Sequence, residues 1–400
     1  MTADGELTGT ANGRLRPRIL VVAPSAELYG SDRTLLQAMP ALVQQFDVTV
    51  AVPAEGPGLA SLESMATEVV SLPDYALRRR HLTPVGFLPW LWRCLVSVVR
   101  LQRHHRRQPF TLVYSNTLAA SLGPVLKLLW RRAHVVHVHE CPVSPAWLPR
   151  ILLAIVRASA DVVVCNSRFT RDYLISHQPA LAARSVVVHN GVEPVEAPPV
   201  PVPGPWFRIT CVGRIHPKKG QAVLIDAARM ARDAGHPWSL HFYGDALPEH
   251  RELEAGLRRL VADHGLEDRV HWHGFETDPF KRYGGADVAV VPSVQAEEFS
   301  LVCAEAQVML LPVVATGPGG PSEILVEAET GFVVPPNDSE ALFKALRTLE
   351  CEPALRVRMG RKGRERVLAQ FSEDAYSRRL TEVLLRAAGL RPATPLDQQS

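Results

Sequence analysis

Phe207-Arg-Ile-Thr-Cys-Val-Gly-Arg-Ile-His-Pro-Lys-Lys-Gly220 changes character twice within a few residues. The apolar run Phe207–Val212 stops at Gly213. Two cations follow, Arg214 and Lys219, and from Lys219 to Ala234 the apolar spacing is helical. Strand, tight turn and helix form the repeating unit of a parallel sheet covered on both faces. Downstream the unit recurs. Strand-like runs lie at Ser239–Tyr243, Arg269–Trp272, Ala286–Val291, Pro312–Ala315 and Gly331–Val334, with helical patterns at Glu249–His264 and Ser300–Met309.

Upstream, Glu193-Pro-Val-Glu-Ala-Pro-Pro-Val-Pro-Val-Pro-Gly-Pro205 interrupts the alternation with a stiff connector that cannot join a sheet. Before it the same alternation runs through Arg18–Ala23, Asp47–Val52, Thr111–Tyr114, His134–Val138, Ala160–Cys165 and Ser185–Val188, with a helix over Asp32–Gln45. The chain therefore divides into a disordered lead-in (1–16), one α/β domain (17–193), a Pro-rich linker (194–205), a second α/β domain (206–371), a closing helix (372–389) and a tail (390–400). Its 400 residues suit two domains of ordinary size.

Charge divides unevenly. Residues 1–184 carry 20 Lys and Arg against 12 Asp and Glu, and the remainder 24 against 29. The first half is suited to something anionic. Six cysteines stand singly with no Cys-x-x-Cys pair, so neither a disulfide framework nor a zinc site is indicated. Cys165 and Cys211 fall in apolar runs and read as buried thiols. No signal-peptide pattern begins the sequence, and no apolar stretch reaches the roughly 20 residues that span a bilayer. A cytoplasmic location is expected.

Ligands of open parallel sheets bind beyond the carboxyl ends of the strands. Three motifs sit there. Gly213, Arg214 and Lys219 precede a helix, and a helix N-terminus with two cations suits a diphosphate; a basic surface turn is the plain alternative. Glu297-Glu-Phe-Ser-Leu-Val-Cys-Ala-Glu305 places two carboxylates eight positions apart. Glu305, within the first two turns of a helix, can accept from both hydroxyls of a ribose. The alternative, an acid complementing a helix N-terminus, accounts for Glu297 or Glu298 better than for Glu305. Third, Ala315-Thr-Gly-Pro-Gly-Gly-Pro-Ser-Glu-Ile324 is a glycine-rich turn in which Gly319 and Gly320 would let the backbone approach a ligand.

Taken together, the three motifs resemble glycosyltransferase family 4, the retaining enzymes of GT-B fold, from about Arg18 to Ala388. Glu297-x7-Glu305 carries most of the likeness, with Pro312–Thr316, Gly319–Glu323, Asn190-Gly191-Val192 and Glu329–Pro335 in support. The resemblance implies two Rossmann-like domains facing across a cleft. The first would take the acceptor, the second a nucleoside-diphosphate sugar, and the closing helix would return to the first. Residue by residue, Arg214 and Lys219 would bind the departing diphosphate and Glu305 the ribose. Glu297 would contact the transferred sugar, and the amides of Phe299, Ser300 and Leu301 would cradle sugar or phosphate. Gly30 and Gly213 would let the backbone near the donor, and His139 would stand by the reacting carbon. The catalytic set is then His139, Arg214, Lys219 and Glu297. The family's first loop often reads Gly-Gly, where this chain has Tyr29-Gly30, and Glu298 and Ser300 stand where glycine is usual.

No Asp-x-Asp occurs, so no metal and no other cofactor is expected; fixed cations would stabilise the leaving group instead. The resemblance implies transfer of a hexosyl unit with retention, onto a glycan or lipid-linked acceptor of cell-envelope or exopolysaccharide biosynthesis. Between Leu77 and Ala158 there are 13 Lys and Arg and one acid, Glu140, interleaved with Trp and aliphatic residues. Leu77–Arg107 and Trp147–Arg157 are thus candidates for lying on an anionic membrane, the inner face of the cytoplasmic membrane, against the alternative of amphipathic helices packed on the sheet. Nucleic-acid binding is not expected. Three other functions remain open: a sugar-nucleotide epimerase of similar architecture, a nicotinamide-dependent oxidoreductase (disfavoured by the lack of Gly-x-Gly-x-x-Gly after a first strand) and a catalytically silent sugar-nucleotide-binding protein.

Overall fold

In a computed structural model the described residues are 16–27, 30–78, 81, 83–143, 145, 147–196 and 204–390. Residues 1–15 of the lead-in, Tyr29, most of the Pro-rich linker and the tail beyond Leu390 lie outside them.

The first domain alternates β1 (Arg18–Val22), α1 (Gly30–Gln45), β2 (Asp47–Pro53), α2 (Leu59–Met65), β3 (Glu68–Leu72), α3 (Pro84–Arg107), β4 (Leu112–Ser115), α4 (Leu122–Trp130), β5 (Ala133–Val138), α5 (Leu148–Ser159), β6 (Val162–Cys165), α6 (Arg168–His177) and β7 (Ser185–Val187). The second comprises β8 (Phe207–Val212), α7 (Gln221–Asp233), β9 (Trp238–Tyr243), α8 (Arg251–Asp263), β10 (Val270–Trp272), α9 (Pro279–Tyr283), β11 (Val288–Val291), α10 (Leu301–Val308), β12 (Val313–Thr316), α11 (Pro321–Ile324), β13 (Gly331–Val334), α12 (Ser339–Cys351) and α13 (Pro353–Gln370). Last comes α14 (Glu373–Ala387).

The two sheets have one plan. Strand order is β3-β2-β1-β4-β5-β6-β7 in the first and β10-β9-β8-β11-β12-β13 in the second. Every pairing is parallel, for instance Val21 with Val50 and Ala315 with Val333. Continuous Val/Ile/Leu runs are needed because helices cover both faces, and β4, β11 and β12 are buried throughout. In each sheet the winding reverses beside the first strand, between β1 and β4 and between β8 and β11. A crevice opens at such a reversal, outside the carboxyl ends of the strands. Two of them face each other here.

The apolar runs do not announce Glu68–Leu72, an edge strand whose polar Glu68 and Ser71 break its run. The closing helix belongs to the first domain by packing. Tyr376, Leu380, Leu384 and Leu385 of α14 share a core with Leu35, Met39 and Leu42 of α1. Where the chain returns, Val192 donates to the Phe371 carbonyl at 2.9 Å and Glu373 donates to the Val192 carbonyl at 3.0 Å. The two crossings are thereby laddered side by side.

The helices over one face of the first sheet are less ordinary. α3 contacts α4, and α4 contacts α5. Of the twenty large hydrophobic residues exposed among the described residues, fourteen lie between Val85 and Ile155, including Leu88, Trp92, Leu128 and Ile151. Arg100, Arg103, Arg106, Arg107, Arg131, Arg132, Arg150 and Arg157 are exposed around them. Among the described residues no helix is long and apolar enough to cross a membrane.

Candidate functional site

A cavity of about 370 Å³ lies between the domains at the two reversals. From the first domain it is lined by Gly30, Arg33, His139, Asn166 and Asn190, and from the second by Gly213, Arg214, Lys219, Glu297 to Val302 and Glu305. Apart from Gly319 and Gly320, the residues assigned a site role from sequence fall on this one cavity, although they come from segments almost 280 positions apart.

The β8 loop is shaped by a short turn, Pro217–Lys219, in which His216 accepts from the Lys218 amide at 3.0 Å. Gly220 follows with φ of 67°, and a Cβ there would lie 2.0 Å from the Pro292 carbonyl oxygen. Only glycine can start α7 so close to the β11 loop. The Gln221 side chain then donates to the Arg214 carbonyl at 3.0 Å, fixing the loop's path. Lys219 emerges at the cavity with its Nζ 2.6 Å from Glu297 Oε1, and Ser293 Oγ donates to that same oxygen at 2.5 Å. Burial alone would raise the Glu297 carboxyl; the Lys219 charge and these hydrogen bonds outweigh it and hold the group below the usual carboxylate value.

Glu305, on the second turn of α10, is 7% exposed and fully engaged. Its Oε1 accepts from Arg33 at 3.1 Å, and its Oε2 from Arg282 and the Tyr283 hydroxyl, each at 3.0 Å. Burial and the Glu305 charge push the Tyr283 phenol well above its ordinary value, so it remains a donor. Between Glu297 and Glu305, Ser300 stands at the start of α10 without a side-chain cap, and Phe299, Ser300 and Leu301 line the cavity. The positive end of α10 opens there.

His139 follows β5. Burial pushes its imidazole down to about 3, so the ring is neutral. Its Nε2 is buried without a hydrogen-bond partner among the described residues, as is Asn190 Oδ1. Ser300 Oγ and Arg282 Nε, on residues that line the same cavity, are likewise unpartnered among the described residues, and such atoms are costly in a folded chain unless something polar completes them. His134 and His137 do not line the cavity; inside the domain His134 Nε2 bonds Ser115 Oγ at 2.9 Å and His137 Nδ1 bonds the Tyr114 hydroxyl at 2.7 Å, His137 Nε2 being, like His139 Nε2, without a partner among the described residues.

One expectation is corrected. Gly319 and Gly320 do bring backbone close, but to protein. A Cβ on Gly320 would sit 2.5 Å from the Phe299 Cα, and the Gly320 amide donates to the Glu297 carbonyl at 2.7 Å. The glycine pair buttresses the Glu297–Phe299 loop from behind. The neighbouring Glu323 reaches the other domain: it accepts from the amides of Arg168 and Phe169 at the start of α6, at 2.9 and 2.8 Å, and from His189 Nε2 at 2.9 Å. Glu298 likewise crosses over, accepting from the Cys141 amide at 3.1 Å. Burial and the Glu298 charge push the adjacent Glu140 carboxyl up to about 7.

Arg33, Arg282 and Tyr283 escaped the sequence reading. No fixed spacing relates them to Glu305, and only the fold brings α1 and α9 to α10. Among the described residues no group of three or more His, Cys, Asp or Glu is placed to hold a metal ion.

Comparison with known proteins adds the following. The model for Glycosyltransferase Family 4 matches residues 29–196, and that for Glycosyl transferases group 1 matches residues 200–366. The Amylovoran biosynthesis glycosyltransferase AmsK of Erwinia amylovora is 33% identical over 191 residues, 46% of this chain and 45% of that protein. The chain thus spans about half the length of that relative. The Alpha-1,3/1,6-mannosyltransferase ALG2 of Mus musculus is 25% identical over 92% of this chain and 96% of its own. Among solved structures, that of HepE from Anabaena in complex with UDP and glucose aligns over 92% of this chain and 99% of its own, with a TM-score of 0.77 at 22% identity.

Proposed function

The chain belongs to glycosyltransferase family 4, with the GT-B fold of that family, and from that premise we propose that it moves a hexosyl unit from a nucleoside-diphosphate sugar, with retention and without a metal. The observation that carries this reading is the Glu297–Lys219 pair beside the uncapped start of α10, on a cavity where His139 and Asn190 each keep a buried polar atom unpaired. Relatives named for amylovoran and lipopolysaccharide core biosynthesis support a glycan or lipid-linked acceptor of a cell-envelope or exopolysaccharide route.

The chemistry follows from charge. As the bond from C1 to the diphosphate lengthens, negative charge gathers on phosphate oxygen and positive charge on the ring. Arg214, Lys219 and the amides at Ser300 and Leu301 face the first; one such preorganised contact lowers a barrier by about 3 kcal/mol. Glu297 orients sugar hydroxyls, and neutral His139 offers a hydrogen bond without competing charge. The acceptor's proton leaves to a departing phosphate oxygen as the new C1–O bond forms on the same face.

The test is direct. A melting-temperature panel of UDP, GDP and ADP sugars identifies the donor, because a ligand of the native state stabilises it. Proton NMR of the product then reads the anomeric configuration, with and without chelator. Inverted product, or activity abolished by chelation and restored by magnesium or manganese, overturns the proposal. Consumption of the donor without acceptor would favour the epimerase.

The exposed apolar face of α3, α4 and α5 supports a second element of the reading: attachment to the cytoplasmic face of an anionic membrane, where a lipid-linked acceptor is presented. Exposed arginines around the apolar surface match anionic headgroups. Co-sedimentation with phosphatidylglycerol vesicles at low and high salt tests it; no binding at low salt removes it.

A further inference from the structure

Glu297 and Glu305 each pair with a cation of their own domain, and Glu305 pairs also with one from the first domain. Lys219 of the second domain rests on Glu297, and Arg33 of the first rests on Glu305. Arg33 is on the first turn of α1, three residues beyond Gly30. Its side chain is 47% exposed and lines the same cavity as Arg214 and Lys219. Glu305 has two further donors, Arg282 and Tyr283, both on its Oε2, and both from its own domain. Of the two Glu305 oxygens, Oε1 is the one whose partner among the described residues crosses the cleft.

A carboxylate offers about four acceptor sites, and Arg33, Arg282 and Tyr283 take three of those on Glu305. A ribose diol that donates twice therefore needs one donor to yield; Arg33, exposed and alone on Oε1, is the one placed to leave, whereas Arg282 keeps the carboxylate's charge compensated throughout. A displaced guanidinium in the cavity seeks another anion, and the one that arrives with the ribose is the diphosphate.

We propose that Arg33 is a diphosphate-binding residue supplied by the first domain, held on Glu305 until the ribose takes that oxygen and then transferred to the donor's phosphates. The inference rests on the donor reading above. It gives the donor a ligand on each side of the cleft, so nucleotide binding exchanges one bridge between the domains for another.

The experiment compares a nucleoside diphosphate with its parent nucleoside, using whichever of UDP, GDP and ADP stabilises the protein most. Calorimetry gives the affinity of the diphosphate, and ligand-observed NMR that of the nucleoside, for wild type, Arg33→Ala, Arg33→Lys and Glu305→Ala. Arg33→Ala weakens the diphosphate about tenfold or more, the effect of losing a charged hydrogen bond. It leaves the nucleoside unchanged or tighter, because Oε1 is no longer contested. Arg33→Lys recovers part of the diphosphate affinity. Glu305→Ala weakens both ligands. Undiminished diphosphate affinity in Arg33→Ala overturns the proposal, as does an equal loss for both ligands, which would mark Arg33 as mere domain glue. If Glu305→Ala also leaves both ligands unaffected, the donor reading itself fails.

Discussion

The two domains share a strand order and differ in what their helices show to solvent. In the second, α8 and α12 turn out Glu252, Arg258, Glu340 and Lys344, the usual dress of a water-facing helix. In the first, α3 turns out Val85, Leu88, Leu91, Trp92 and Leu95, and α4 turns out Leu128, 78% exposed. The winding of a sheet fixes where a crevice forms, and leaves the outer surface free to take on another task. The proposed function divides along the same line: nucleotide chemistry at the strand ends of the second domain, acceptor delivery at the flank of the first.

The sharpest way to break this division is Lys219→Ala. Turnover should fall by about 100-fold to 1,000-fold, as when a preorganised charge-stabilising donor is removed, while vesicle binding and the circular dichroism spectrum stay as they were. A loss of vesicle binding would mean that the two tasks are not separate. The reciprocal change is Leu88→Glu with Trp92→Glu. Each removes about 2 kcal/mol of apolar transfer, so vesicle affinity should drop by more than 30-fold in co-sedimentation, with nucleotide affinity unaltered. Smaller effects concern the seam between the domains. Glu323→Ala strips the start of α6 of a cap provided by the other domain and should cost about 1 to 2 kcal/mol, read as a lower melting temperature. The smallest is a pH effect. Glu140 in the folded chain titrates at about 7, above its ordinary 4.5, so the fold binds a proton that the unfolded chain releases. The stability this gives is whole below about pH 4.5 and is lost as pH rises through about 7. Melting temperature should decline across that window, less so in Glu140→Gln, and Glu298→Gln should move the decline to lower pH.

The fold was legible because parallel strands buried on both faces must be written as unbroken apolar runs, and Arg18–Ala23 or Phe207–Val212 can hardly be anything else. Glu68–Leu72 was not, since an edge strand carries half that signal. The site was legible where its residues share a loop: Gly213, Arg214 and Lys219, or Glu297 through Glu305. Arg33 and Arg282 were not, because their role comes from three-dimensional proximity to a carboxylate at another place in the chain. Gly319 and Gly320 were read for the right property and the wrong neighbour; glycine reports that something comes close, not what.

The return of α14 to α1 also bears on how the molecule can be taken apart. Tyr376, Leu380 and Leu384 fill a groove of the first domain, so a polypeptide ending near residue 193 would bare that groove to water and should aggregate. Supplying residues 373–387 as a separate peptide should rescue it, as complementing fragments do. The genetic order of the halves is thus interleaved, and evolution could not have exchanged the donor half by simple fusion without carrying the last helix along.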